Sequence, residues 1–373
     1  MLLSGTFTGV EQYIYNLCRM FSQRSYGLET TAFVPRGFSP RTFKGTSPHF
    51  VLKKGLVSGR VRSARILWEQ IWFPFKVFSC GFDLMHFPGY IHPYIRGIPT
   101  VLTVHDIIAV LAPELCKRTN KYYYSRFLKK STTRATRIIV PTERVKNDMW
   151  KYLHTPKAKI DVIPMGTDIT SFKDAAEQPV REKYNIGSEP YILFVGNIEP
   201  KKGIPLLIQA VFASIMHKKV PHKLVIVGKK GWKSKGIFTL VRELGEGFSS
   251  KRVIFTGYVP RGDLYGLYRE ADMFVFPSLI EGFGIPPLEA MACRVPVLLS
   301  EEPALLEVYR GCAHFFQNGN LVDLREKIEF LTEHESERNK YVTEAQKLAD
   351  TLTWETCTER TVAVYRKTLQ EYT

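Results

Sequence analysis

The segment that decides the fold is FPSLIEGFGIPPLEAMACRVPVLLS, which runs from Phe276 to Ser300. The apolar runs Met273–Phe276 and Val295–Leu299 are short enough for buried strands. Between them, Pro286 and Pro287 fit the first turn of a helix, where a missing N–H costs nothing. The segment therefore predicts a strand, a loop, a helix and a second strand, which is the repeating unit of an α/β fold.

Two carboxylates and two glycines occupy this loop and helix. Glu281 lies in the predicted loop, whereas Glu289 lies about one turn inside the helix, so the two acids cannot share one helical face. Gly282 and Gly284 let backbone N–H groups approach a ligand closely, and the helix N-terminus adds positive charge where a diphosphate could bind. A carboxylate would repel that diphosphate, so we expect both acids to bind hydroxyl groups. A ligand-free strand, turn and helix, with Glu289 capping its own helix, would give the same pattern.

The spacing of these glutamates, with seven residues between them, and the surrounding sequence resemble the signature of family 4 of the retaining glycosyltransferases. The resemblance implies that Glu289 binds the nucleotide ribose and that Glu281 contacts the transferred sugar. It also implies that the backbone of Gly282, Phe283 and Gly284 fixes that sugar. The fold implied is GT-B, an α/β architecture of two Rossmann-like doubly wound domains that face a central cleft.

A second segment, YILFVGNIEPKKG from Tyr191 to Gly203, is a predicted buried strand that leads through a basic loop to a helix. It resembles the donor-phosphate loop of the same family, which implies donor contacts for Gly196 and Asn197 and a catalytic role for Lys202. Cations suit this place because negative charge builds on the diphosphate as its bond to the sugar breaks. Many relatives have arginine where this chain has Asn197, so we expect Lys201 to take over that contact. A solvated loop lysine is the alternative for Lys201.

The amino-terminal half offers a loop of small residues, GTFTG at Gly5–Gly9, ahead of a helix with apolar side chains at helical spacing. Most such loops are simply turns. The resemblance implies that Gly9 donates its N–H to the donor diphosphate. Gln12 stands where relatives often have arginine, so this chain lacks one potential phosphate contact.

His105 and Asp106 follow the predicted strand Val101–Val104, at the carboxyl end where doubly wound sheets present their sites. The resemblance implies that this histidine lines the pocket near the transferred sugar, with the aspartate beside it. We therefore add both residues to the predicted catalytic set. The alternative is that His105 is a structural histidine, with its hydrogen bonds satisfied within the protein, at the end of a strand.

Members of this family begin with an apolar strand ahead of the glycine loop, whereas this sequence has only Met1, Leu2 and Leu3 there. That strand is central in a doubly wound sheet, so we expect exposed neighbouring strand edges and a partly unfilled core. Either the true start lies upstream, or this copy is impaired. The patterning that continues to the end of the chain favours an upstream start.

A chain of 373 residues is longer than one hydrophobic core usually supports, so the length predicts two domains. The predicted domains are residues 1–170, which bind the acceptor, and residues 171–352, which bind the donor, with the helix 353–373 returning to the first. Each domain has six predicted strands. In the first domain they are Thr30–Val34, Phe50–Lys53, Leu84–Phe87, Val101–Val104, Arg137–Val140 and Ile160–Ile163. In the second domain they are Ile192–Val195, Leu224–Val227, Val253–Phe255, Met273–Phe276, Val295–Leu299 and Ala313–Phe316.

Positive charge is concentrated in the first domain. Residues 1–170 contain 25 Lys or Arg against 10 Asp or Glu, and the remaining residues contain 27 against 26, so +15 of the net +16 lies in the first domain. An anionic membrane surface would attract it by about 1 kcal/mol per basic residue. The densest cluster, Lys117–Arg137, mixes tyrosines with basic residues and predicts a peripheral membrane contact. A solvated basic helix face is the alternative, and no motif supports nucleic acid as a partner.

The six cysteines have no paired metal-ligand spacing, which fits reduced thiols, and no apolar run is long enough to span a membrane. We expect no disulfide, no metal and no cofactor, because the sugar nucleotide is a substrate and no clustered Asp-x-Asp is present. The predicted location is cytoplasmic, on the inner face of the membrane.

These features predict a retaining glycosyltransferase that moves a hexose, with mannose favoured, from a GDP- or UDP-linked sugar. The predicted acceptor is a glycan or lipid-linked acceptor in synthesis of lipopolysaccharide, O-antigen or capsule. A catalytically impaired nucleotide-binding membrane scaffold is the first alternative, followed by a GT-B sugar-nucleotide epimerase and a nucleic-acid-binding protein.

Overall fold

The computed structural model describes residues 9–36, 38, 43, 47–55, 68–78, 80–168, 179–217, 220–245 and 252–372. The chain forms two compact units. Unit 1 comprises Met1–Met165 and Trp354–Thr373, and unit 2 comprises Gly166–Thr353. The predicted boundary between residues 170 and 171 falls within residues 169–178, which lie outside the described residues.

The described strands of unit 1 are all parallel and form two sheets. The first sheet pairs β1 with β2, and the second has the order β3, β4, β5, β6. These strands are β1 (Thr30–Val34), β2 (Phe50–Lys54), β3 (Met85–Phe87), β4 (Thr100–Thr103), β5 (Arg137–Val140) and β6 (Ile160–Val162). Among the described residues, β1 pairs with β2 alone and β3 pairs with β4 alone.

Five helices in the described part of the chain accompany these strands before the chain enters unit 2. They are α1 (Gly9–Gln23), α2 (Phe73–Phe78, after a π-helical turn at Trp68–Trp72), α3 (Ile108–Leu111), α4 (Arg118–Arg134) and α5 (Glu143–Leu153), with 3₁₀ turns at Pro113–Leu115 and Lys157–Lys159. The predicted apolar stripe of α1 is buried at Tyr13, Ile14, Leu17 and Phe21. The GTFTG loop lies outside the described residues except for Gly9, the first residue of α1.

Unit 2 is one parallel six-stranded sheet with the order β12, β11, β10, β7, β8, β9. Its strands are β7 (Tyr191–Val195), β8 (Lys223–Val227), β9 (Val253–Gly257), β10 (Met273–Phe276), β11 (Val297–Ser300) and β12 (His314–Phe316). The strand order reverses between β7 and β10, and such a switch point opens a crevice at the carboxyl ends of the two strands. All twelve predicted strands are present, with bounds that differ by at most two residues.

The described helices of unit 2 follow its strands in alternation. They are α6 (Val180–Lys183), α7 (Ile204–Met216), α8 (Lys235–Glu243), α9 (Arg261–Arg269), α10 (Ile285–Ala292), α11 (Pro303–Tyr309), α12 (Leu321–Glu333), α13 (Glu335–Arg338) and α14 (Val342–Thr351), with a 3₁₀ turn at Pro200–Lys202. Every residue of β7 and β10 is buried, as expected for parallel strands that are covered on both faces of the sheet.

The last helix, α15 (Trp354–Tyr372), belongs to unit 1. Arg137, at the start of β5, is only 5% exposed at its side chain and donates to Asp161 of β6 at 2.6 Å and to Glu371 of α15 at 2.8 Å. The hydroxyl of Tyr365, also on α15, lies 2.6 Å from His86 Nδ1. These polar contacts fix the end of the chain against the sheet of unit 1.

Candidate active site

The two segments that the sequence singled out follow neighbouring strands at the switch point of unit 2. The basic loop follows β7, and the loop with Glu281 follows β10, the strand that pairs with β7. The backbone N–H of Leu279 donates to the Lys201 carbonyl at 2.8 Å, which joins the two loops directly. The fold therefore brings together residues that lie about 80 positions apart in the sequence.

Lys202 and Glu281 form an ion pair at the centre of this region. Lys202 Nζ lies 2.5 Å from Glu281 Oε1, and the two side chains are only 13% and 9% exposed. The ammonium group also lies 4.7 Å from the centre of the Phe276 ring. Burial alone would raise the pKa of the Glu281 carboxyl, but the charges of Lys202 and Lys201 outweigh it and hold that pKa below its usual value. The site thus contains a carboxylate that stays ionised and a cation held beside it.

Gly203 explains how the two loops come so close. Its φ of +64° lies in the left-handed region, and a Cβ at this position would lie 2.0 Å from the carbonyl oxygen of Pro277. Only glycine meets both conditions without strain. Gly203 therefore ends the 3₁₀ turn that carries Lys202 and begins α7.

Helix α10 begins where its prolines predict, with Gly284 at the N-cap at φ +86°. The Tyr309 hydroxyl donates to the Gly284 carbonyl at 2.5 Å, and the Phe283 ring packs edge-on against Tyr309. These contacts hold the backbone of the glycine loop at the positive end of the helix, where an anion would be stabilised.

Glu289, one turn into α10, is 5% exposed. The Tyr268 hydroxyl of α9 donates to Glu289 Oε2 at 3.1 Å. Burial, strengthened by the Glu289 charge, raises the pKa of Tyr268 well above its usual value, so the tyrosine stays a neutral donor. The carboxylate of Glu289 is thereby held in one orientation, with oxygen acceptors suited to a diol.

Glu302 is a buried acid near Glu281 that the sequence analysis did not identify. It is 2% exposed, and its Oε2 accepts from the backbone N–H groups of Ala304 and Leu305 at 2.8 and 3.1 Å, so it caps α11. Burial raises the pKa of Glu302 to about 7, and the Glu281 charge acts in the same direction. The feature of the sequence that could have identified Glu302 is its position just after a strand of the parallel sheet.

Lys229, Lys230 and Tyr258 are further residues that the sequence analysis missed. Gly228 lies so close to the β7 loop that a Cβ there would come within 1.9 Å of the Gly196 carbonyl oxygen. After it, Lys230 forms a bridge with Ile198, and Lys229 Nζ lies 4.7 Å from the centre of the Tyr258 ring. The predicted strand Leu224–Val227 ended just before this basic pair, which could have identified it.

The predicted site residues of unit 1 are His105, Asp106 and Gly9. His105 is 5% exposed, its Nε2 lies 3.0 Å from the Pro88 carbonyl oxygen, and its buried Nδ1 has no hydrogen-bond partner among the described residues. Burial lowers the pKa of His105, so the ring is neutral. Asp106 accepts from the Tyr90 hydroxyl at 2.9 Å and from the Ile108 N–H at 3.1 Å, so it helps to begin α3.

Asn197 lies in the loop after β7, where its side-chain amide is 3.5 Å from Glu199 Oε1.

Over the ranges that the structure describes, no group of three or more His, Cys, Asp or Glu side chains is arranged to hold a metal ion. No helix in the described part of the chain is long and apolar enough to cross a membrane. None of the six cysteines, all of which lie in the described part of the chain, forms a disulfide bond.

Comparison with known proteins places these features in a family. The sequence profile of the glycosyl transferases group 1 matches residues 177–348, and that of glycosyltransferase family 4 matches residues 7–171. The chain is 31% identical over 288 residues to the O-antigen chain mannosyltransferase B of Escherichia coli, which covers 76% of this chain and 74% of that protein. It is also 31% identical over 258 residues to the serotype-specific mannosyltransferase WbdA of Escherichia coli, covering 65% of this chain and 31% of that protein.

Among solved structures, Anabaena HepE in complex with UDP-glucose has a TM-score of 0.72 at 17% identity, covering 98% of this chain and 97% of that one. The prediction of an α/β GT-B fold with two Rossmann-like domains is confirmed. The chain belongs to glycosyltransferase family 4, the glycosyl transferases group 1, and is a glycosyltransferase.

Proposed function

We propose that this enzyme transfers mannose, with retention of configuration, from a nucleotide-diphosphate sugar to a glycan or lipid-linked acceptor in synthesis of an O-antigen type polysaccharide. The observation that carries the proposal is the buried Lys202–Glu281 pair, which lies at the switch point of the unit 2 sheet. A cation for a leaving diphosphate and an ionised acceptor for a sugar hydroxyl meet there.

The donor diphosphate is held by positive charge in this proposal. Lys202, aided by Lys201 and by the N–H groups at Gly282–Gly284, stabilises the charge that develops as the sugar leaves. One lysine contact at about 4 Å and an effective dielectric near 20 contributes roughly 4 kcal/mol before desolvation, an upper bound equal to about three decades in rate. Gly9, Gly196 and Asn197 complete the donor contacts that the family implies.

The hydroxyl groups of the donor are bound by carboxylates. Glu289, oriented by Tyr268, accepts hydrogen bonds from the ribose, and Glu281 accepts them from the transferred hexose. Lys202 pairs with Glu281 and keeps that carboxylate ionised for the sugar hydroxyl. His105, buried and neutral, lines the sugar pocket with Asp106 beside it, as the family implies.

Retention follows if the leaving group itself acts as the base. The acceptor oxygen forms a bond to the anomeric carbon on the face from which the diphosphate departs, and the bond to phosphate breaks. The acceptor proton passes to the departing phosphate oxygen, which balances the reaction without a protein carboxylate as base and without a cofactor or metal.

The nature of the donor and acceptor is supported by relatives. Two curated relatives are named as mannosyltransferases, one of them acting on the O-antigen chain, and HepE was solved with UDP-glucose. These names favour mannose and a nucleotide-linked donor, carried by GDP or UDP, for this chain.

A membrane surface as partner is supported by unit 1. On α5, Trp150 and Tyr152 are 53% and 45% exposed, with Lys157 and Lys151 lying 4.8 and 5.1 Å from the centres of their rings. Exposed aromatic rings next to lysines suit the interface of an anionic leaflet. We therefore propose a peripheral position on the cytoplasmic face of the membrane.

Transfer of labelled mannose from GDP-mannose to membranes that contain lipid-linked acceptor tests the proposal, with NMR of the product to read the anomeric configuration. We expect labelled product with the configuration of the donor and no product from Glu289→Ala. An inverted product would contradict the retaining mechanism, and transfer from no donor in a panel of GDP, UDP and ADP sugars would contradict the function.

An impaired, nucleotide-binding scaffold is the second candidate, because the described strands of unit 1 form two separate sheets. Nucleotide binding that depends on Glu289 but is accompanied by no transfer to any acceptor would identify it.

A further inference from the structure

The loop that carries Glu281 is held at both ends by hydroxyl groups from other elements of unit 2. At its beginning, the hydroxyl of Ser300, the last residue of β11, donates to the Ser278 carbonyl at 2.6 Å. At its end, the hydroxyl of Tyr309, the last residue of α11, donates to the Gly284 carbonyl at 2.5 Å. Glu281 therefore lies between two fixed points of the backbone.

The end of the loop needs such a fixed point because it is rich in glycine. Gly282 and Gly284 lack a Cβ, so the backbone between them has more accessible conformations than that of other residues. Gly284 adopts one of these, with φ at +86°, and a Cβ there would lie 2.8 Å from Leu305 Cδ2 of α11. Helix α11 thus offers both an apolar contact and a hydrogen-bond donor to this glycine.

Tyr309 is fully buried, and its ring packs edge-on against Phe283 of the loop. Burial, strengthened by the charges of Glu281 and Glu289, raises the pKa of Tyr309 well above its usual value. The hydroxyl therefore stays a neutral donor, within electrostatic reach of both carboxylates, although its hydrogen bond goes to the backbone.

A second buried tyrosine acts on the other carboxylate in a different way. The Tyr268 hydroxyl of α9 donates to Glu289 Oε2 at 3.1 Å and lies 3.4 Å from the Pro286 carbonyl oxygen. Tyr268 therefore holds a side chain, that of Glu289, whereas Tyr309 holds the main chain of a loop. Both hydroxyls contact the beginning of α10.

We propose that Tyr309 is a positioning residue for glycosyl transfer, which fixes the Glu281 loop through the Gly284 carbonyl. This inference rests on the proposed function. There Lys202 also binds the donor diphosphate, so its hold on Glu281 is shared with the donor. The tether at Gly284 is not shared, and it keeps Glu281 aimed at the transferred sugar. A misplacement of about 1 Å can cost about two decades in rate.

Tyr268 and Tyr309 then divide the positioning of the donor between them. Tyr268 acts through Glu289, which binds the ribose in the proposed function, so its hydroxyl matters for nucleotide affinity. Tyr309 acts through the loop that contacts the sugar, so its hydroxyl matters for the rate of transfer. A phenylalanine at either position keeps the ring and removes only the hydroxyl, so the two effects can be measured separately.

The test compares Tyr309→Phe with Tyr268→Phe in the full chain. Titration calorimetry with GDP and UDP gives the Kd, and transfer from saturating GDP-mannose or UDP-glucose to membranes that contain lipid-linked acceptor gives kcat. Tyr309→Phe should lower kcat at least about tenfold and keep the nucleotide Kd within about twofold of the wild type. Tyr268→Phe should raise that Kd about tenfold and keep kcat within about threefold of the wild type.

Tyr191→Phe is the matched control. That hydroxyl is also buried and also donates to a backbone carbonyl, that of Leu267 at 2.7 Å, but Tyr191 lies at the amino end of β7, away from the site. The control should match the wild type in both kcat and Kd. If Tyr309→Phe does not fold, Ser300→Ala removes the tether at the other end of the loop and should lower kcat in the same way.

Three outcomes would overturn the inference. They are an unchanged kcat in Tyr309→Phe, a loss of nucleotide affinity in Tyr309→Phe equal to that in Tyr268→Phe, and the same loss of kcat in Tyr191→Phe. A wild type that binds neither nucleotide, or transfers neither sugar, would instead contradict the proposed function itself, and the inference with it.

Discussion

Two residues, Lys202 and Glu281, carry most of the chemistry proposed for this enzyme. Each neutralises the other in a largely buried place, where an unpaired charge would be costly. In the proposed function the same pair also serves binding, because the cation would face the diphosphate and the ionised carboxylate a sugar hydroxyl. Stability and activity therefore depend on the same contact, and they can be separated only by changing both partners.

The variant Lys202→Met should lose about 3 kcal/mol of unfolding free energy, because Glu281 is left buried without its partner. Its kcat/KM should fall by about two to three decades. The double variant Lys202→Met with Glu281→Leu should regain most of the stability but none of the activity. Chemical denaturation and transfer assays measure both, and Lys235→Ala, at an exposed position on α8, is the control. Activity in the double variant would show that the pair is only structural.

Glu302 predicts a pH dependence of stability. Its folded pKa of about 7 lies above its ordinary 4.5, so the folded state holds the proton more tightly than the unfolded chain. The carboxyl group therefore favours folding at low pH, and this contribution is lost as pH rises toward 7, by up to about 3 kcal/mol.

Glu302→Gln should remove that loss, so the variant should gain stability relative to the wild type between pH 4.5 and 7.5 in denaturation curves. Glu301→Gln, at the exposed neighbouring position, is the matched control and should follow the wild type. Parallel curves for wild type and Glu302→Gln would refute the assignment.

At the scale of elements, glycine controls how loops follow strands. Gly203 adopts a left-handed conformation under the Pro277 carbonyl, whereas Gly236, in α8, has no atom within 4 Å of its would-be Cβ. Gly203→Ala should therefore cost at least about 2 kcal/mol and displace Lys202. Gly236→Ala should be neutral or stabilise the protein by about 0.5 kcal/mol. Thermal unfolding of the two variants checks the contrast, and equal melting temperatures would contradict it.

The sequence predicted most elements because their signals are local. Buried parallel strands are short continuous apolar runs, and Pro286 with Pro287 marks the start of α10. The loops after β7 and β10 were identified through their glycines, lysines and glutamates, and the structure joins them at the switch point.

Sequence patterns missed the residues whose role depends on distant packing. The position of Glu302 after a strand is a weak signal in the sequence, and its burial near Glu281 is visible only in the fold. The contact of Lys229 with Tyr258 depends on the ends of two strands whose pairing no local pattern specifies. Asp106 was predicted from the sequence, but its hydrogen bond from Tyr90 was not, because the position of Asp106 in the sequence does not indicate that partner.

At the scale of the whole molecule, the chain returns to unit 1 for its last helix, and Arg137 anchors it there. Arg137→Met should cost about 3 kcal/mol, because Asp161 loses a nearly buried partner and α15 loses its contact through Glu371. Arg24→Met is the matched control, since its ion pairs with Glu355 and Glu359, also on α15, are exposed, and it should cost less than about 1 kcal/mol. Hydrogen exchange in α15 should rise in the first variant and not in the second; similar exchange in both would contradict the anchoring role.

The central claim is that unit 2 binds a nucleoside diphosphate through Lys202 and Glu289. The most direct test is the thermal shift of the full chain with GDP, UDP, ADP and dTDP, each with magnesium and with EDTA. The account predicts stabilisation by one nucleotide, about 2.7 kcal/mol at a hundred times its dissociation constant, equal with and without magnesium and lost in Glu289→Ala. No shift with any nucleotide, or an undiminished shift in Glu289→Ala, would contradict it.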